Sequence, residues 1–377
     1  MKTIDPSKMK DVLDDVYACA SCGYCRFGCP VFQEKGFERL APRGRILALK
    51  RALEKHGEVP ETLRESIYQC LQCENCKVQC PLSIDFPKIA LALAEQYNEA
   101  GDLPEGPATL KERVHAESNP YGEPHGERGA WAPKRDLVAG REYLYFVGCG
   151  TSYGANRIAR SVVKVLDDIG FEYNILGSEE NCCGAPLFRV GDAAGAQELI
   201  RKNVELFERL GVKTIFANCA GCFKTLKHAY PDKFKALHVT QLFEQLVRSG
   251  RIAFGKEFKK KIIYFDGCDI GRHSQVYEEP RNLLRAIPGV ELLEYDYNRD
   301  QALCCGGPLL SSDPGLAQEI AAQRVREAVE KGAEIIATSC PACMLNLKSG
   351  AQAAGLTIRI EDIPLLIPAL MEKKKRS

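Results

Sequence analysis

Asn181-Cys182-Cys183-Gly184-Ala185-Pro186 and Leu303-Cys304-Cys305-Gly306-Gly307-Pro308 are two copies of one short stretch, around which the second half of the chain is organised. Each Cys-Cys pair has a single cysteine ahead of it and a Cys-x2-Cys behind it. The first set runs Cys-x32-Cys-Cys-x35-Cys-x2-Cys, and the second runs Cys-x35-Cys-Cys-x34-Cys-x2-Cys. Two five-cysteine sets at nearly equal intervals indicate two sites built to one plan.

Apolar runs rich in β-branched and aromatic residues lead into the outer cysteines of both sets, which is typical of buried strands. Residues 143–149 match residues 262–268, and residues 213–219 match residues 334–340. Helical patterns alternate with these strands at residues 158–169, 195–210 and 316–331. Strand–helix alternation predicts parallel sheets flanked by helices. Because ligands of such sheets gather beyond the carboxyl ends of the strands, the five cysteines of each set should converge on one rim.

The length of 377 residues is too great for one ordinary core and predicts two or three domains. Lys and Arg total 51 against 50 Asp and Glu, so nothing favours a nucleic-acid partner, and the run Lys373–Arg376 is interpreted as a solvated tail. No apolar run reaches the ~18–20 residues that span a bilayer, and Met1–Lys10 lacks the apolar core of a signal peptide. We therefore expect a cytoplasmic protein without a transmembrane segment of its own; association with a membrane through a partner subunit is the alternative. Cytoplasmic thiols stay reduced, so the 18 cysteines point to metal.

The first hundred residues contain the bacterial ferredoxin spacing twice, as Cys19-x2-Cys22-x2-Cys25-x3-Cys29-Pro30 and Cys70-x2-Cys73-x2-Cys76-x3-Cys80-Pro81. In two-cluster ferredoxins the fourth cysteine of each run ligates the other cluster. The predicted ligands of two [4Fe–4S] clusters are therefore Cys19, Cys22, Cys25 and Cys80 for one, and Cys70, Cys73, Cys76 and Cys29 for the other. Zinc also uses Cys-x2-Cys pairs, but four cysteines per run with a terminal Cys-Pro favour iron.

Helical spacing at residues 45–53, 61–70 and 86–100 makes this module α-helical, similar to the ferredoxin domain of succinate dehydrogenase iron–sulfur subunits. A Gly-, Pro- and charge-rich connector follows, in which only residues 108–116 have a helical pattern. Trp131, the single tryptophan, is expected to pin this connector to a domain surface. The predicted division is 1–100 (α-helical ferredoxin domain), 101–141 (connector), 142–255 (first lobe) and 256–377 (second lobe).

Other interpretations of the cysteine motifs are weaker. Gly148-Cys149-Gly150 lacks the third glycine of a nucleotide-binding loop. The two Cys-x2-Cys pairs resemble thioredoxin redox pairs, but their repetition with three further cysteines favours ligands. Five thiolates are one more than a cubane [4Fe–4S] cluster needs, so each site has either a spare thiol or an opened cluster. His228 and His273 follow cluster motifs and could face a cleft, although surface or structural roles are favoured.

The two Cys-Cys-Gly repeats resemble the CCG domain of the B subunit of heterodisulfide reductase. Joined to a two-cluster helical ferredoxin domain like that of the C subunit, they resemble the D subunit of heterodisulfide reductase over nearly the whole chain, including the connector from Asn119-Pro120-Tyr121-Gly122 to Trp131. Iron–sulfur subunits of glycolate oxidase, lactate utilisation, anaerobic glycerol-3-phosphate dehydrogenase and sulfite-reductase-associated membrane complexes share this layout. The expected fold is a multi-domain α+β protein: an N-terminal all-α two-cluster ferredoxin domain followed by two pseudo-symmetric α/β CCG lobes with parallel sheets.

In that family each complete CCG motif holds a non-cubane [4Fe–4S] cluster with five cysteine ligands. Carried over, the resemblance assigns Cys149, Cys182, Cys183, Cys219 and Cys222 to one such cluster, and Cys268, Cys304, Cys305, Cys340 and Cys343 to the other. Four [4Fe–4S] clusters are therefore expected, two cubane and two non-cubane. This sequence has Asp266-Gly267-Cys268-Asp269-Ile270-Gly271-Arg272 where the family often reads Asp-Pro-Cys-His-Leu-Gly-Arg, and Cys305-Gly306-Gly307-Pro308-Leu309 in place of the usual Cys-Gly-Ala-Gly-Gly. The family's substrate contacts near the second cluster are consequently not carried over.

The resemblance implies an iron–sulfur subunit of an anaerobic oxidoreductase complex that reduces a disulfide or oxidises thiols. Each cluster passes one electron whereas a disulfide needs two, so two clusters facing one cleft could share the reaction and be refilled by the ferredoxin domain. The alternative is a purely electron-transferring subunit of a flavin dehydrogenase (lactate, glycolate or glycerol-3-phosphate type), or of an electron-bifurcating or benzoyl-CoA-reductase-type complex. A zinc-storage protein is a third hypothesis. The chain has no recognisable flavin or nicotinamide motif, so a flavoprotein or cytochrome b partner should supply electrons, and the substrate would be a small disulfide or thiol.

Overall fold

The structure is a computed structural model that describes residues 3–54 and 59–372, so the predicted tail Lys373–Arg376 lies outside the described residues. The described part of the first module is helical, and apolar side chains at helical spacing, such as Val12 and Val16 or Ile89 and Leu93, form its core. Its α-helices are α1 (Lys10–Ala18), α2 (Pro30–Lys35), α3 (Pro42–Glu54), α4 (Glu61–Tyr68), α5 (Asn75–Val78) and α6 (Phe86–Glu99). The three predicted helices of this module are therefore confirmed, with small differences at their ends.

The connector begins with a longer helix than its sequence pattern indicates, α7 (Glu105–Glu117). This helix packs very closely on the second lobe. A Cβ atom added to Gly106 would lie only 1.6 Å from the backbone oxygen of Ser311. Further along, Trp131 is buried in a core that also contains Tyr145. The expectation that Trp131 pins the connector to a domain surface is confirmed.

The first lobe is a four-stranded parallel sheet with strand order β2-β1-β3-β4, flanked by helices. Its elements in chain order are β1 (Tyr143–Phe146), α8 (Asn156–Asp168), β2 (Asn174–Ile175), α9 (Ala185–Arg189), α10 (Ala193–Leu210), β3 (Thr214–Ala217), α11 (Ala220–His228), β4 (Lys235–His238) and α12 (Val239–Arg248). Tyr145 of β1 pairs with Phe216 of β3, and their rings stack at 5.1 Å between centroids.

The second lobe repeats this plan with strand order β6-β5-β7-β8, again all parallel. Its elements are β5 (Lys260–Tyr264), α13 (Glu278–Arg285), β6 (Val290–Glu294), α14 (Pro314–Glu330), β7 (Ile335–Thr338), α15 (Pro341–Ala353), β8 (Arg359–Asp362) and α16 (Ile363–Leu366). In both sheets the strand leading to the single cysteine pairs with the strand leading to the Cys-x2-Cys. The predicted duplication of a parallel α/β lobe is confirmed.

The two lobes share one apolar core rather than standing apart. Tyr145 and Phe216 of the first sheet belong to the same buried cluster as Tyr264 and Ile335 of the second. The chain end returns across the boundary, since α16 packs on α8 and Phe254 forms an antiparallel bridge with Met371. The four-part division of the chain stays a prediction. This packing holds the carboxyl ends of both sheets in a fixed relation.

Candidate metal centres

The first five-cysteine site is assembled from loops that follow β1 and β3. Cys149 comes three residues after β1 ends, while Cys219 caps the N-terminus of α11 and Cys222 lies in its first turn. Gly148, with φ of 76°, lies against this site, and a Cβ atom there would be 2.8 Å from Cys222 Sγ. Only glycine lets the backbone approach the thiols this closely. The structure thus brings the first cysteine and the Cys-x2-Cys to one rim, as predicted.

The second site has the same construction. Cys268 follows β5, Cys340 caps the N-terminus of α15 and Cys343 lies in the first turn of that helix. Cys268 Sγ lies 3.9 Å from Cys304 Sγ, and Cys305 Sγ lies 3.3 Å from Cys343 Sγ. All five cysteines of the second set are buried. The predicted convergence therefore holds for both copies.

Hydrogen bonds between neighbouring thiols lower the pKa of some cysteines in each site and raise the pKa of others. A hydrogen bond from Cys182 and another from Cys222 hold the pKa of Cys183 well below its ordinary value. In the second site, bonds from Cys304 and Cys343 do the same for Cys305. Each site therefore favours thiolate character at the second cysteine of its Cys-Cys pair, and thiolate is the form that binds metal.

The two sites adjoin each other. The thiol of Cys219 in the first site interacts with that of Cys340 in the second, and this contact is the leading cause that lowers the pKa of Cys340. Helix α11 of the first lobe also holds the loop after Cys268, because Lys224 forms an ion pair with Asp269 at 2.8 Å. His228 Nε2 lies 3.0 Å from the carbonyl oxygen of His273 in the same loop.

The eight cysteines of the first module form two groups: an outer group (Cys19, Cys22, Cys25 and Cys80) and an inner group (Cys29, Cys70, Cys73 and Cys76). Burial raises the pKa of Cys25, and the thiols of Cys19, Cys80 and Cys22 raise it further. Burial raises the pKa of Cys29 to about 12, and its neighbouring thiols belong to the second run. The structure therefore places the fourth cysteine of each run with the other run, which is the exchange that the ferredoxin spacing predicts.

The inner group of the first module meets the second five-cysteine site directly. The thiol of Cys73 hydrogen-bonds with that of Cys304, the largest influence on the pKa of Cys73, which falls to about 5. Asn75 Nδ2 donates to the carbonyl of Ala302 at 3.2 Å, next to this contact. His273 Nε2 lies 2.9 Å from the carbonyl oxygen of Gln72. The four cysteine groups therefore form a continuous row: outer, inner, second site, first site.

Both five-cysteine sites include a buried arginine that the sequence patterns did not single out as functional. Arg128 of the connector donates from Nη2 to Cys149 Sγ at 3.2 Å and forms an ion pair with the buried Glu180 at 3.1 Å. Arg272 lies four residues after Cys268 and donates from Nε to the carbonyl of Cys73 at 2.6 Å. Arg272 was visible as the last residue of the family-like loop motif. Nothing in the spacing of Arg128 or Glu180 pointed to a site.

A cavity of about 1120 Å³ opens beside the two sites. All ten cysteines of the two sites lie in the described residues, and the four that line the cavity, Cys268, Cys305, Cys340 and Cys343, come from the second site. The first site borders it through residues beside its own cysteines, such as Ala185 and Ala220. His228 and His273 both line the cavity in addition to their backbone contacts. Both lobes therefore line the cavity, but the cysteines in its wall come from the second lobe.

The donor groups suit iron–sulfur clusters. Cysteine thiolates are the usual ligands of [4Fe–4S] clusters, in which each iron binds its own sulfur. In residues 3–54 and 59–372, no three Cys, His, Asp or Glu side chains converge on one point that could hold a single ion. The fit therefore rests on the buried thiols, on the glycine beside Cys222, and on N–H groups that reach sulfur, such as Gly307 N at 3.4 Å from Cys305 Sγ. The individual ligand sets stay predictions.

Comparison with known proteins agrees with this architecture. A 4Fe–4S dicluster domain matches residues 15–84, and a cysteine-rich domain named CCG matches residues 143–227 and 262–348. The chain is 32% identical to the D subunit of the dihydromethanophenazine:CoB–CoM heterodisulfide reductase of Methanosarcina barkeri, over 97% of this chain and 96% of that protein. The chain belongs to the family of heterodisulfide reductase D subunits. As a member, it is an iron–sulfur protein of the oxidoreductase class with ferredoxin-type and CCG domains.

The family of heterodisulfide reductase D subunits overlaps with other redox proteins. An EtfAB:quinone oxidoreductase from Syntrophomonas wolfei is 27% identical over 94% of this chain, which spans 57% of that longer protein. A hypothetical protein from Helicobacter pylori has the same fold, with a TM-score of 0.61 at 9% identity, covering 98% of this chain and 76% of that one. No helix in the described part of the chain is both long and apolar enough to cross a membrane. The relatives support an iron–sulfur electron-transfer subunit.

Proposed function

We propose that this chain is the disulfide-reducing, or equivalently thiol-oxidising, subunit of an oxidoreductase complex. One observation supports this most strongly: the second five-cysteine site touches both the electron-carrying module and the cavity. Cys304 contacts Cys73 of the inner ferredoxin-type group, while Cys305 and Cys343 line the cavity wall. A substrate in this cavity would therefore lie against the site that the ferredoxin module feeds.

The proposed cofactors are four [4Fe–4S] clusters held by the four cysteine groups, two cubane in the ferredoxin module and two non-cubane in the five-cysteine sites. When bound, such clusters supply one-electron transfer at potentials set by their surroundings. Their row runs from the exposed Cys22 at one end to the buried first site at the other. The cysteine contacts at Cys73 with Cys304, and at Cys219 with Cys340, join successive groups.

The overall reaction balances as one disulfide plus two electrons and two protons giving two thiols. Two electrons are needed together, and the contact between Cys219 and Cys340 supports a pair of one-electron sites that lie side by side. The charges around the cavity do not select a strongly ionic substrate. Four acidic and four basic side chains line it: Glu74, Asp85, Glu105, Asp269, Lys88, Arg113, Arg189 and Lys224. The proposal therefore rests on the sulfur chemistry of the second site.

We further propose that electrons enter from a redox partner, a flavoprotein or a cytochrome b, at the face around Cys22. Within the described residues, seven of the twelve exposed large apolar side chains lie in the first 82 positions. Tyr24 and Phe27, which lie on either side of Cys25 in the sequence, are 55% and 71% exposed. Lys50 Nζ donates to the carbonyl of Cys19 at 2.9 Å, so positive charge accompanies this apolar face. Exposed aromatic side chains such as these are enriched at protein interfaces.

The direct test is turnover of disulfides by anaerobically purified protein with reduced viologen as the electron donor. The panel includes cystine, oxidised glutathione and the CoB–CoM heterodisulfide named for the M. barkeri relative. Thr109→Trp fills the cavity from α7, whereas Glu112→Trp alters an exposed residue of the same helix that does not line the cavity. We expect turnover in wild type and in Glu112→Trp and a tenfold or greater loss in Thr109→Trp, with viologen still reducing the protein. No turnover of any disulfide, and no change of the EPR signals on adding one, would refute the proposal.

The second candidate function is electron transfer alone. The match to an EtfAB:quinone oxidoreductase favours it, as does a row of sites that could connect two partners. In that case the cavity would be a docking or quinone site, and the second site would only relay electrons. Reoxidation of the reduced protein by a soluble quinone but by no disulfide would distinguish this function from the first.

A further inference from the structure

Arg272 has an unsatisfied donor in the interior of the protein. Its side chain is 5% exposed, and its three hydrogen bonds all go to backbone carbonyls, those of Cys73, Asp300 and Ala302. The remaining nitrogen, Nη2, is buried without a partner. Buried guanidinium groups are costly unless an anion or acceptor completes their coordination. Something that the protein chain does not supply should therefore accept this hydrogen bond.

The charge of Arg272 also lacks a carboxylate partner among the described residues. The nearby Asp269 is paired with Lys224 at 2.8 Å, and Asp300 offers only its carbonyl. Burial lowers the pKa of the guanidinium, and the groups that oppose this most strongly are three thiols, those of Cys73, Cys268 and Cys304. They belong to two different cysteine groups, the inner ferredoxin-type group and the second five-cysteine site.

The corresponding arginine of the first site is in a different electrostatic state. Arg128 donates to Cys149 Sγ, but the buried carboxylate of Glu180 neutralises it at 3.1 Å. Glu180 in turn accepts the backbone N–H groups of Val147 and Gly148 at 2.7 and 2.8 Å. Arg128 therefore donates a hydrogen bond to the first site, but together with Glu180 it brings little net charge. Arg272 has no carboxylate partner among the described residues and brings a full positive charge to the second site.

We propose that Arg272 is a positioning residue that makes the second five-cysteine site, and to a lesser degree the inner ferredoxin site, easier to reduce than they would otherwise be. A buried cation next to thiolate-ligated iron stabilises the added electron, and reduction potentials of iron–sulfur clusters rise with such charges and with hydrogen bonds to sulfur. The charge of Arg272 would then favour an electron at the second five-cysteine site, where the ferredoxin module meets the cavity. This inference rests on the cluster sites of the proposed function but does not require disulfide chemistry.

The test is an EPR-monitored redox titration of the complete, anaerobically purified protein. Arg272→Gln removes the charge while keeping an amide donor at the position of Nε, which faces the carbonyl of Cys73, and Arg272→Lys keeps the charge without the planar fork. Arg251→Gln is the control, since Arg251 binds the carbonyl of Ile169 at 3.3 Å and stacks over Phe171, away from every cysteine group. Cys343→Ser and Cys222→Ser identify which signals belong to the second and first sites.

We expect Arg272→Gln to shift the midpoint potential of the second-site signal to a more negative value, with a smaller negative shift for the inner ferredoxin signal. Arg272→Lys should shift the second-site signal less, and Arg251→Gln should shift none. Unchanged potentials in Arg272→Gln, equal shifts in the Gln and Lys variants, or a common shift of all signals would overturn the proposal. Because the readout is a potential, absence of disulfide turnover would count against the proposed function alone.

Discussion

At the scale of single residues, the first site depends on a buried ion pair brought by the connector. Arg128 and Glu180 are each 1% exposed in their side chains and lie 3.1 Å apart. Burial raises the pKa of Glu180, while Arg128 and two backbone N–H groups oppose that rise. The carboxylate of Glu180 therefore depends on the neighbouring guanidinium of Arg128 to remain ionised. The same guanidinium donates to Cys149, so one residue connects the connector, the first lobe and the thiol of Cys149.

Removing Arg128 should destabilise the protein strongly. Arg128→Met leaves Glu180 buried without its cation, and breaking a buried pair in this way costs about 3–5 kcal/mol of unfolding free energy. Arg128→Met/Glu180→Gln should recover part of that loss, because the orphaned charge is gone. The control Arg135→Met breaks a partly exposed pair with Asp167, whose two side chains are 36% and 44% exposed, and should cost no more than about 1 kcal/mol. Denaturant unfolding under anaerobic conditions measures these differences, and equal losses for Arg128→Met and Arg135→Met would contradict the account.

A buried histidine should make stability depend on pH. Burial lowers the pKa of His238 to about 4, and its ring nitrogens lie 2.8 Å from Thr240 Oγ1 and 3.1 Å from the carbonyl oxygen of Asn218. The unfolded chain binds a proton at about pH 6.5, so the folded state is favoured fully above that pH and loses stability as pH falls towards 4. The loss is on the order of 3 kcal/mol at pH 4. In His238→Gln the fall in melting temperature between pH 7 and pH 5 should be smaller than in wild type; an unchanged fall would contradict this assignment.

At the scale of elements, helix α7 is fastened by a close backbone contact at Gly106 as well as by side chains such as His115, whose Nε2 lies 2.6 Å from Asp192 Oδ2. A Cβ atom at Gly106 would lie 1.6 Å from the Ser311 carbonyl oxygen, so the helix can seat there only with glycine. Gly126 in the same connector has no atom within 4 Å of its added Cβ atom. The two positions form a matched pair for testing how the connector is attached.

Gly106→Ala should destabilise the protein by about 1–3 kcal/mol through overpacking, and it should widen the cavity that α7 borders. Gly126→Ala should leave the melting temperature nearly unchanged. Thermal unfolding of both variants, together with the disulfide turnover rate, checks this prediction. If Gly106→Ala had both the wild-type melting temperature and the wild-type rate of disulfide turnover, the close packing of α7 against Ser311 would be contradicted.

The elements that sequence could predict were those with a strong local signal. Residues 195–210 and 316–331 have long amphipathic patterns and form α10 and α14. The edge strand β2 spans only Asn174–Ile175, which is too short for any periodicity. Arg128 and Glu180 are 52 positions apart and unrelated in spacing, so their pairing was not predictable. The pairing of Arg128 with Glu180 is determined by tertiary contacts between the connector and the first lobe.

At the scale of the whole molecule, the duplicated sites are not equivalent. The nearly equal cysteine spacings predicted two sites of one plan, and both sheets follow that plan. The spacings could not show that the second site alone would place its cysteines on the cavity and against Cys73. That asymmetry comes from where the ferredoxin module docks, through contacts such as Asn75 with Ala302. Such a long-range contact has no signature in a local motif.

The face around Cys22 should be needed for partner binding. An affinity-tagged chain expressed in its native host should co-purify with a protein that contains flavin or haem. Phe27→Asp places a charge in the exposed aromatic face and should lose that partner, because burying an unpaired carboxylate at an interface is unfavourable. Val329→Asp alters a 40% exposed side chain on α14 and should retain it. Retention of the partner by Phe27→Asp would place the docking face elsewhere.

The central claim is that all four cysteine groups hold clusters, in a row that ends at two adjoining five-cysteine sites. The measurement that tests it most directly is the iron and acid-labile sulfide content of anaerobically purified protein. Four [4Fe–4S] clusters predict about sixteen irons and a similar number of sulfides per chain. About eight irons per chain would mean that only the ferredoxin module binds clusters, and would contradict the account.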